Sequence, residues 1–178
     1  PNGRKASIAL EELGLPYEVH KVDLGANEQM KPDFLALNPN HKIPVLEDDG
    51  LVIWEPGAIL LHLGERHDPK GLILPKDARK RSEAIQLAFF QTGGVGPNLG
   101  RLGAALRKEG EKNAEMIQIF SAEMARLYGV LDRILAEGML DASVAYGYFP
   151  VVSEGEELVV LHHGDDPAGV LGAPGLLA

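Results

Sequence analysis

The fold is decided by residues 38–54, NPNHKIPVLEDDGLVIW. Ile43 and Pro44 open an apolar run, and proline is tolerated at the first residue of a strand. Asp48-Asp49-Gly50 then predicts a hairpin turn, and Leu51-Val52-Ile53 predicts the returning antiparallel strand. The stretch therefore predicts two paired strands that begin at a proline corner.

Helices and one further strand are predicted on either side of this hairpin. Asn2 can cap a helix that Gly14 ends, and Pro56 suits the first turn of another, where its missing N–H removes no intrahelical bond. The predicted order is a helix over 3–13, a strand over 17–22, a short helix over 31–37, the hairpin, and an apolar helix over 58–67. This is the order of a thioredoxin-like α/β domain that lacks its first strand.

The second half of the chain predicts helices. Residues 68–77 contain two proline turns and predict a linker. Residues 78–106 predict a long helix that is interrupted at the glycine-rich run 93–97. Residues 111–136 predict another helix, whose core stripe recurs at three- and four-residue spacing: Phe120, Met124, Leu127, Leu131 and Ile134.

The last segment, residues 138–178, has a different character. It contains β-branched pairs and glycines but no capping signal for a further helix. The runs 144–152 and 158–161 could pair as a hairpin, and we expect disorder after about Gly164. We therefore predict an atypical, poorly ordered tail outside the helical core.

Composition excludes several classes of function. The chain has 26 Asp+Glu against 17 Lys+Arg, which disfavours nucleic acids and anionic membranes as partners. The absence of cysteine excludes disulfides, thiolate zinc sites and redox chemistry by the protein's own thiols. No apolar run is long enough to span a bilayer and no signal peptide is visible, so a cytoplasmic location is expected. The basic groups Arg4-Lys5 and Arg79-Lys80-Arg81 are predicted to be solvated helix faces.

Several ordered motifs resemble those of glutathione transferases, over residues 1 to about 137. The similarity is greatest to the bacterial and fungal branch that includes nu-class and Ure2-like proteins. The motifs are PNGRK (1–5), EELG (11–14), VDLG (22–25), NPNHKIPVL (38–46), GAILL (57–61) and FQTGGVGP (90–97). The resemblance implies a thioredoxin-like glutathione-binding domain over 1–75, an incomplete all-helical domain over 78–137, and the tail over 138–178. Since the chain begins at Pro1 without a methionine, residues are expected to precede it.

The resemblance also implies roles for two positions at helix and strand ends. The glutathione thiol reacts as the thiolate, and a helix N-terminus with oriented donors lowers a thiol pKa. Asn2 lies where its amide would hold the glutathione sulfur, although an ordinary helix cap explains it equally well from sequence alone. Ile43-Pro44 resembles a cis-proline corner, where the backbone of Ile43 would pair with the cysteinyl part of glutathione; a trans proline at a strand start is the alternative.

Four further positions match residues that contact the polar ends of glutathione in the family. Glu55 would meet the ammonium group. Pro56 stands where relatives carry a serine that binds the γ-glutamyl carboxylate, and it has neither hydroxyl nor N–H, so weaker binding is expected. Gln29 and Lys42 match contacts to the other polar ends, although without the resemblance each would be interpreted as a solvent-exposed residue.

A metal site is not expected from the histidines. His20, His41, His62 and His67 show no ligand spacing with carboxylates, and His62 is predicted to pack in the core or against a neighbouring domain. Residues 162–166, HHGDD, could bind a divalent ion, but a solvated loop is the preferred interpretation.

The resemblance implies an enzyme that uses glutathione as co-substrate. The partner would be a small electrophile, or a disulfide or peroxide reduced by glutathione thiols, and the protein would form a homodimer. The alternative is a non-catalytic glutathione transferase-like binding or regulatory module, which Pro56, the missing first strand and the tail favour.

Overall fold

The computed structural model describes residues 2–107, 111–137 and 160–163. The described residues fall into two compact units. The first contains residues 2–76 and the strand 160–163, and the second contains the helices beyond residue 76. The predicted linker over 68–77 contains this boundary.

The first unit alternates helices with short strands. Asn27 precedes a single 3₁₀ turn, Glu28–Met30, with a positive φ of 56°. The helices and strands are α1 (Asn2–Leu13), β1 (Glu18–His20), α2 (Pro32–Leu37), β2 (Val45–Asp48), β3 (Leu51–Trp54), α3 (Pro56–Arg66) and β4 (Val160–His163). Each predicted element of this region is present, with ends that differ by a few residues.

The four strands form one sheet in the order β1-β4-β2-β3. β2 and β3 pair antiparallel, with Val45 opposite Trp54, as the hairpin predicts. β4 lies between β1 and β2, antiparallel to β1 and parallel to β2. The sequence predicted a domain without its first strand and a poorly ordered tail. Four residues of that tail instead form an inner strand of the sheet, and the rest of residues 138–178 lies outside the described residues.

Helix packing covers the apolar face of this unit. α1 and α3 pack against each other and bury Ala6, Leu10, Ile59 and Leu63. A second apolar cluster gathers Phe34 of α2 with β2 residue Val45 and with Val22. β2 is buried along its whole length, because it has a neighbouring strand on both sides and both of its faces are covered.

A buried aspartate holds the chain in place after α3. The carboxylate of Asp68 accepts hydrogen bonds from the backbone N–H groups of Leu72, Ile73 and Leu74, at 2.7–3.0 Å. Burial opposes its ionisation, but these three donors outweigh that effect and hold the Asp68 pKa below its usual value. Leu74 in turn packs against Gly64, where an added Cβ would lie 2.5 Å from the Leu74 Cβ. This contact requires glycine at position 64.

The described part of the second unit contains three helices and an irregular turn. They are α4 (Ala78–Phe90), a π-helical turn (Gln91–Val95), α5 (Gly96–Leu106) and α6 (Glu111–Ala136). Asp77 caps α4 by accepting from the Lys80 N–H at 3.0 Å. The predicted interruption over 93–97 is therefore a π-turn that joins two helices. Of the predicted stripe in α6, Met124, Leu127 and Leu131 are buried.

Candidate functional site

The corner before β2 has the predicted backbone geometry. The Ile43–Pro44 peptide bond is cis, which confirms the prediction. Pro44 is buried and Ile43 is half-buried. Val45, the next residue, pairs with Trp54 of β3, so the corner lies beside Glu55 at one end of the hairpin. The hairpin register is what brings these distant positions together.

A buried asparagine, which sequence reasoning quoted only as part of a motif, shapes the loop before this corner. Asn38 is 1% exposed. Its side-chain Nδ2 donates to the backbone oxygen of Lys42 at 2.7 Å, and its Oδ1 accepts from the Asn40 N–H at 2.9 Å. The loop that presents Ile43 is thus fixed by one side chain from inside. The asparagine–proline turn over 38–40 is the sequence feature from which this fixed loop could have been predicted.

The start of α3 combines a strained residue with an open helix end. Glu55 adopts φ 75° and ψ 121°, a conformation unusual for a residue with a side chain. No side chain caps α3, and Pro56 occupies its first turn. Glu55 Oε1 accepts from Asn40 Nδ2 at 3.3 Å, which ties the two loops together. The uncapped N–H groups after Pro56 form a positive helix end that suits an anion.

Asn2 begins α1 and is exposed, but its partner is buried. Lys5 Nζ donates to Asn2 Oδ1 at 3.1 Å, and Lys5 is 4% exposed. The prediction that Arg4-Lys5 is a solvated face is wrong for Lys5. Burial lowers the Lys5 pKa from 10.5 to about 8. Because an ammonium only donates, it fixes the oxygen of Asn2 toward itself and leaves the amide NH₂ group for another acceptor.

Gln29 and Lys42 lie in different surroundings. Gln29 lies in the 3₁₀ turn, and its buried Oε1 has no hydrogen-bond partner among the described residues. Lys42 is exposed just before the proline corner. Within the described chain, neither Asn2 nor Gln29 hydrogen-bonds to the corner or to Glu55. The structure therefore joins Lys42, Ile43, Pro44, Glu55 and Pro56 in one place by the hairpin and its loops.

A second polar cluster was not expected from the sequence. His62 of α3 and His67, just after α3, both place Nε2 against Oδ2 of Asp48, at 2.5 and 2.8 Å. His62 was predicted to pack in the core or at a domain contact; it is half-buried and bonded to this carboxylate. Burial opposes ionisation of Asp48, but the two histidine hydrogen bonds hold the Asp48 pKa below its usual value. Linear spacing gave no signal, because the hairpin and α3 bring the three residues together.

Comparisons with known proteins identify what this chain is similar to. Residues 1–65 match the family model "Glutathione S-transferase, N-terminal domain". The chain is 40% identical over 142 residues to the disulfide-bond oxidoreductase YfcG of Escherichia coli, which covers 76% of this chain and 65% of that protein. It is 36% identical over 143 residues to the transcriptional regulator URE2 of Saccharomyces cerevisiae, covering 77% of this chain and 40% of that protein.

Solved structures agree with these relatives. A glutathione transferase from Burkholderia graminis, with two glutathione molecules bound per subunit, has a TM-score of 0.68 at 41% identity and covers 76% of this chain and 59% of that one. Ure2p in complex with glutathione has a TM-score of 0.70 at 35% identity and covers 77% and 65%. The chain thus spans less than two thirds of the length of these relatives. The predicted fold class, a thioredoxin-like α/β domain followed by helices, is confirmed. No helix in the described ranges is long and apolar enough to cross a membrane.

Proposed function

We propose that this chain belongs to the glutathione transferase family, binds glutathione as co-substrate and promotes attack of the glutathione thiolate. The second substrate is a small electrophile, or a disulfide or peroxide. The observation that carries the proposal is the cis Ile43–Pro44 corner beside the uncapped N-terminus of α3. Because the chain contains no cysteine, disulfide reduction here consumes two glutathione thiols and forms one glutathione disulfide.

The corner supplies the contact for the middle of the tripeptide. In this proposal the backbone N–H and C=O of Ile43 pair with the cysteinyl residue, as one strand pairs with another. Asn38 supports this role, since its two hydrogen bonds hold the loop from Asn38 to Lys42 in one shape before a ligand arrives. A preformed loop reduces the entropy lost on binding.

The γ-glutamyl end of glutathione meets the start of α3. Its ammonium is placed near the Glu55 carboxylate, and its carboxylate is placed at the helix N–H groups that follow Pro56. Pro56 itself lacks a donor, so this end is held by fewer hydrogen bonds than a serine would allow. Gln29 and Lys42 are assigned to the remaining polar ends; the buried Gln29 Oε1 needs a donor, and Lys42 is an exposed cation.

The sulfur is assigned to Asn2. Lys5 holds the oxygen of the Asn2 amide, so the NH₂ group can donate to a thiolate at the N-terminus of α1. A donor and a helix N-terminus both favour the charged form of sulfur and therefore lower the thiol pKa. Lys5 acts as a positioning residue in this scheme, because it works through Asn2.

The test of this assignment is Asn2→Ala. We expect the catalytic efficiency with glutathione to fall about 10-fold, and the pKa of the bound thiol to rise by about one unit, because one hydrogen bond to a charged group is worth about 1.5 kcal/mol. Steady-state kinetics and the ultraviolet absorbance of the thiolate as a function of pH measure these effects. Ser7→Ala, on the next turn of α1, is the control. An unchanged thiol pKa in Asn2→Ala would remove Asn2 from the sulfur site.

A second prediction concerns Pro56. Pro56→Ser should strengthen glutathione binding by about 1–3 kcal/mol, since it restores a hydroxyl and an N–H at the start of α3. This corresponds to roughly 5- to 150-fold in affinity, measured by isothermal titration. Pro32→Ser makes the same change in the first turn of α2 and is the control. An affinity that does not increase would show that the γ-glutamyl carboxylate does not bind at Pro56.

The alternative is a glutathione transferase-like module that binds or regulates without catalysis. Pro56 favours it, because a weakened carboxylate site lowers glutathione occupancy. The similarity to both an oxidoreductase and a transcriptional regulator leaves both functions open. Glutathione binding without conjugation or disulfide reduction would select the alternative. We further propose a nu-class or Ure2-like affiliation, a homodimer, a cytoplasmic location, and the domain limits 1–75 and 78–137, with residues 160–163 completing the sheet of the first domain.

A further inference from the structure

We propose that Asp48, His62 and His67 form a binding site for a divalent transition-metal ion such as Zn²⁺. Asp48 is the last residue of β2, His62 lies in α3, and His67 follows its end. These residues take no part in the proposed glutathione site, so the metal site can be tested independently of glutathione binding. An ion here would clamp the end of β2 to α3.

The three side chains already converge on one point. Both Nε2 atoms lie against the same carboxylate oxygen, and the three possible ligand atoms are all within 4.8 Å of one another. Ligand bonds to zinc of about 2.0–2.1 Å imply ligand atoms about 3.3 Å apart in a tetrahedral site. Separations of 2.5 and 2.8 Å therefore need to widen by less than about 1 Å to admit the ion. Two imidazoles and one carboxylate are ligands that zinc, nickel and copper accept.

A second, independent observation is that one oxygen of the buried Asp48 carboxylate lacks a hydrogen-bond partner among the described residues. The Asp48 side chain is fully buried, and its Oδ1 has no hydrogen-bond partner among the residues that the structure describes. A buried carboxylate oxygen without a partner is costly. The two histidine hydrogen bonds reach only Oδ2 and compensate the buried charge of Asp48 incompletely. A metal ion bound by Asp48 would compensate that charge directly.

The guanidinium group of Arg66 lies near the same carboxylate, and its positive charge opposes the binding of a metal ion there. Arg66 Nε lies 3.7 Å from Asp48 Oδ2, but the Arg66 side chain is half-exposed and its Nη2 also pairs with Asp49 at 3.3 Å. Arg66 can therefore keep the Asp49 contact when a metal ion takes its place beside Asp48. It follows that Arg66→Gln, which removes a like charge, should strengthen metal binding.

The experiment titrates the chelator-stripped chain of 178 residues with Zn²⁺ by calorimetry and with Co²⁺ by visible absorption, at fixed neutral pH. We expect one ion per chain with a Kd of about 10 µM or tighter. Loss of a second-shell partner alone weakens metal affinity about 10- to 100-fold, so loss of a ligand in Asp48→Asn or His62→Gln should cost at least about 100-fold. His41→Asn is the control, because His41 is exposed and its φ of 45° is tolerated by asparagine.

The glutamine variants of His62 and His67 keep the test decisive if Asp48→Asn does not fold, because these side chains are still 17% and 16% exposed and glutamine keeps an amide donor for Asp48. His62→Gln and His67→Gln should keep their circular dichroism but lose both the cobalt spectrum and the rise in Tm that Zn²⁺ gives the parent chain. Binding no tighter than about 1 mM overturns the proposal. Parent-like affinity in both histidine variants also overturns it, since the ion would then bind elsewhere in the chain.

Discussion

Removing residues 160–178 should abolish cooperative folding of the first unit, whereas removing residues 164–178 should leave it folded. The two truncated chains differ only by β4, Val160–His163. β4 is an inner strand that pairs with β1 on one side and with β2 on the other. Its loss would leave β1 and β2 with unpaired edges and no strand pairing between β1 and the hairpin.

The size of the effect follows from the pairing. An inner strand of four residues directs its backbone groups to both neighbours, and each hydrogen bond contributes about 0.5–1.5 kcal/mol, so the loss is on the order of 4 kcal/mol or more. Domains are stable by only about 5–15 kcal/mol. Most of the stability of the first unit would therefore be lost.

Urea unfolding followed by circular dichroism is the measurement, with limited proteolysis as a second probe. The chain that ends at His163 should show a cooperative transition and a resistant first unit. The chain that ends at Val159 should show neither. If both truncated chains unfold at the same urea concentration, β4 does not support the sheet.

Local sequence patterns predicted most of the fold, because most of its helices and turns depend on residues that are close together in the chain. The apolar stripe of α6, the proline at the start of α3 and the Asp48-Asp49-Gly50 turn each act over a few residues, and all three elements are present. The run 158–161 was considered only as half of a hairpin with 144–152, and its place in this sheet was missed because its partners, β1 and β2, lie more than 100 residues earlier in the chain. A short β-branched run does not specify which strand it joins; that choice depends on which edges the rest of the fold leaves free.

The candidate sites also differ in how far local sequence predicts them. The cis Ile43–Pro44 corner was predictable, because an ordered motif surrounds it. The burial of Lys5 was not, since two adjacent basic residues on a helix ordinarily face water. The cluster of Asp48 with His62 and His67 was missed for a different reason. Sequence spacing identifies ligands that lie on one helix, whereas Asp48 ends a strand, His62 lies in α3 14 residues later, and His67 follows the end of α3, 19 residues after Asp48.

Lys5→Met is expected to stabilise the protein below pH 8 and to change how stability depends on pH. The Lys5 pKa is lowered from 10.5 to about 8 in the folded state because its ammonium is buried. Below pH 8 the group is charged in both states, so the folded state bears the full cost of burying the charge. Between pH 8 and about 10.5 the folded state has released the proton and the unfolded chain still holds it, so the wild-type protein gains stability as pH rises.

The expected gain at pH 7 is at most about 3 kcal/mol, since one pKa unit corresponds to about 1.4 kcal/mol and the methionine loses the bond to Asn2. The difference between Lys5→Met and wild type should shrink from pH 8 to about 10.5. Urea unfolding at several pH values measures it, and Lys70→Met, at an exposed loop position in the same unit, is the control. A difference that stays constant over this range would contradict a lowered Lys5 pKa.

The same substitution should weaken catalysis. Without the ammonium, the Asn2 amide has no fixed orientation, and its NH₂ group is presented to the glutathione sulfur for only part of the time. We expect catalytic efficiency to fall in Lys5→Met while glutathione affinity stays near that of wild type, because Ile43 and Glu55 are untouched. Lys5→Arg should recover part of the activity, since it restores a donor to Asn2 Oδ1. A stabilised variant with reduced turnover would mean that the buried charge is kept for its effect on Asn2, because a lysine with a purely structural role has no reason to cost stability.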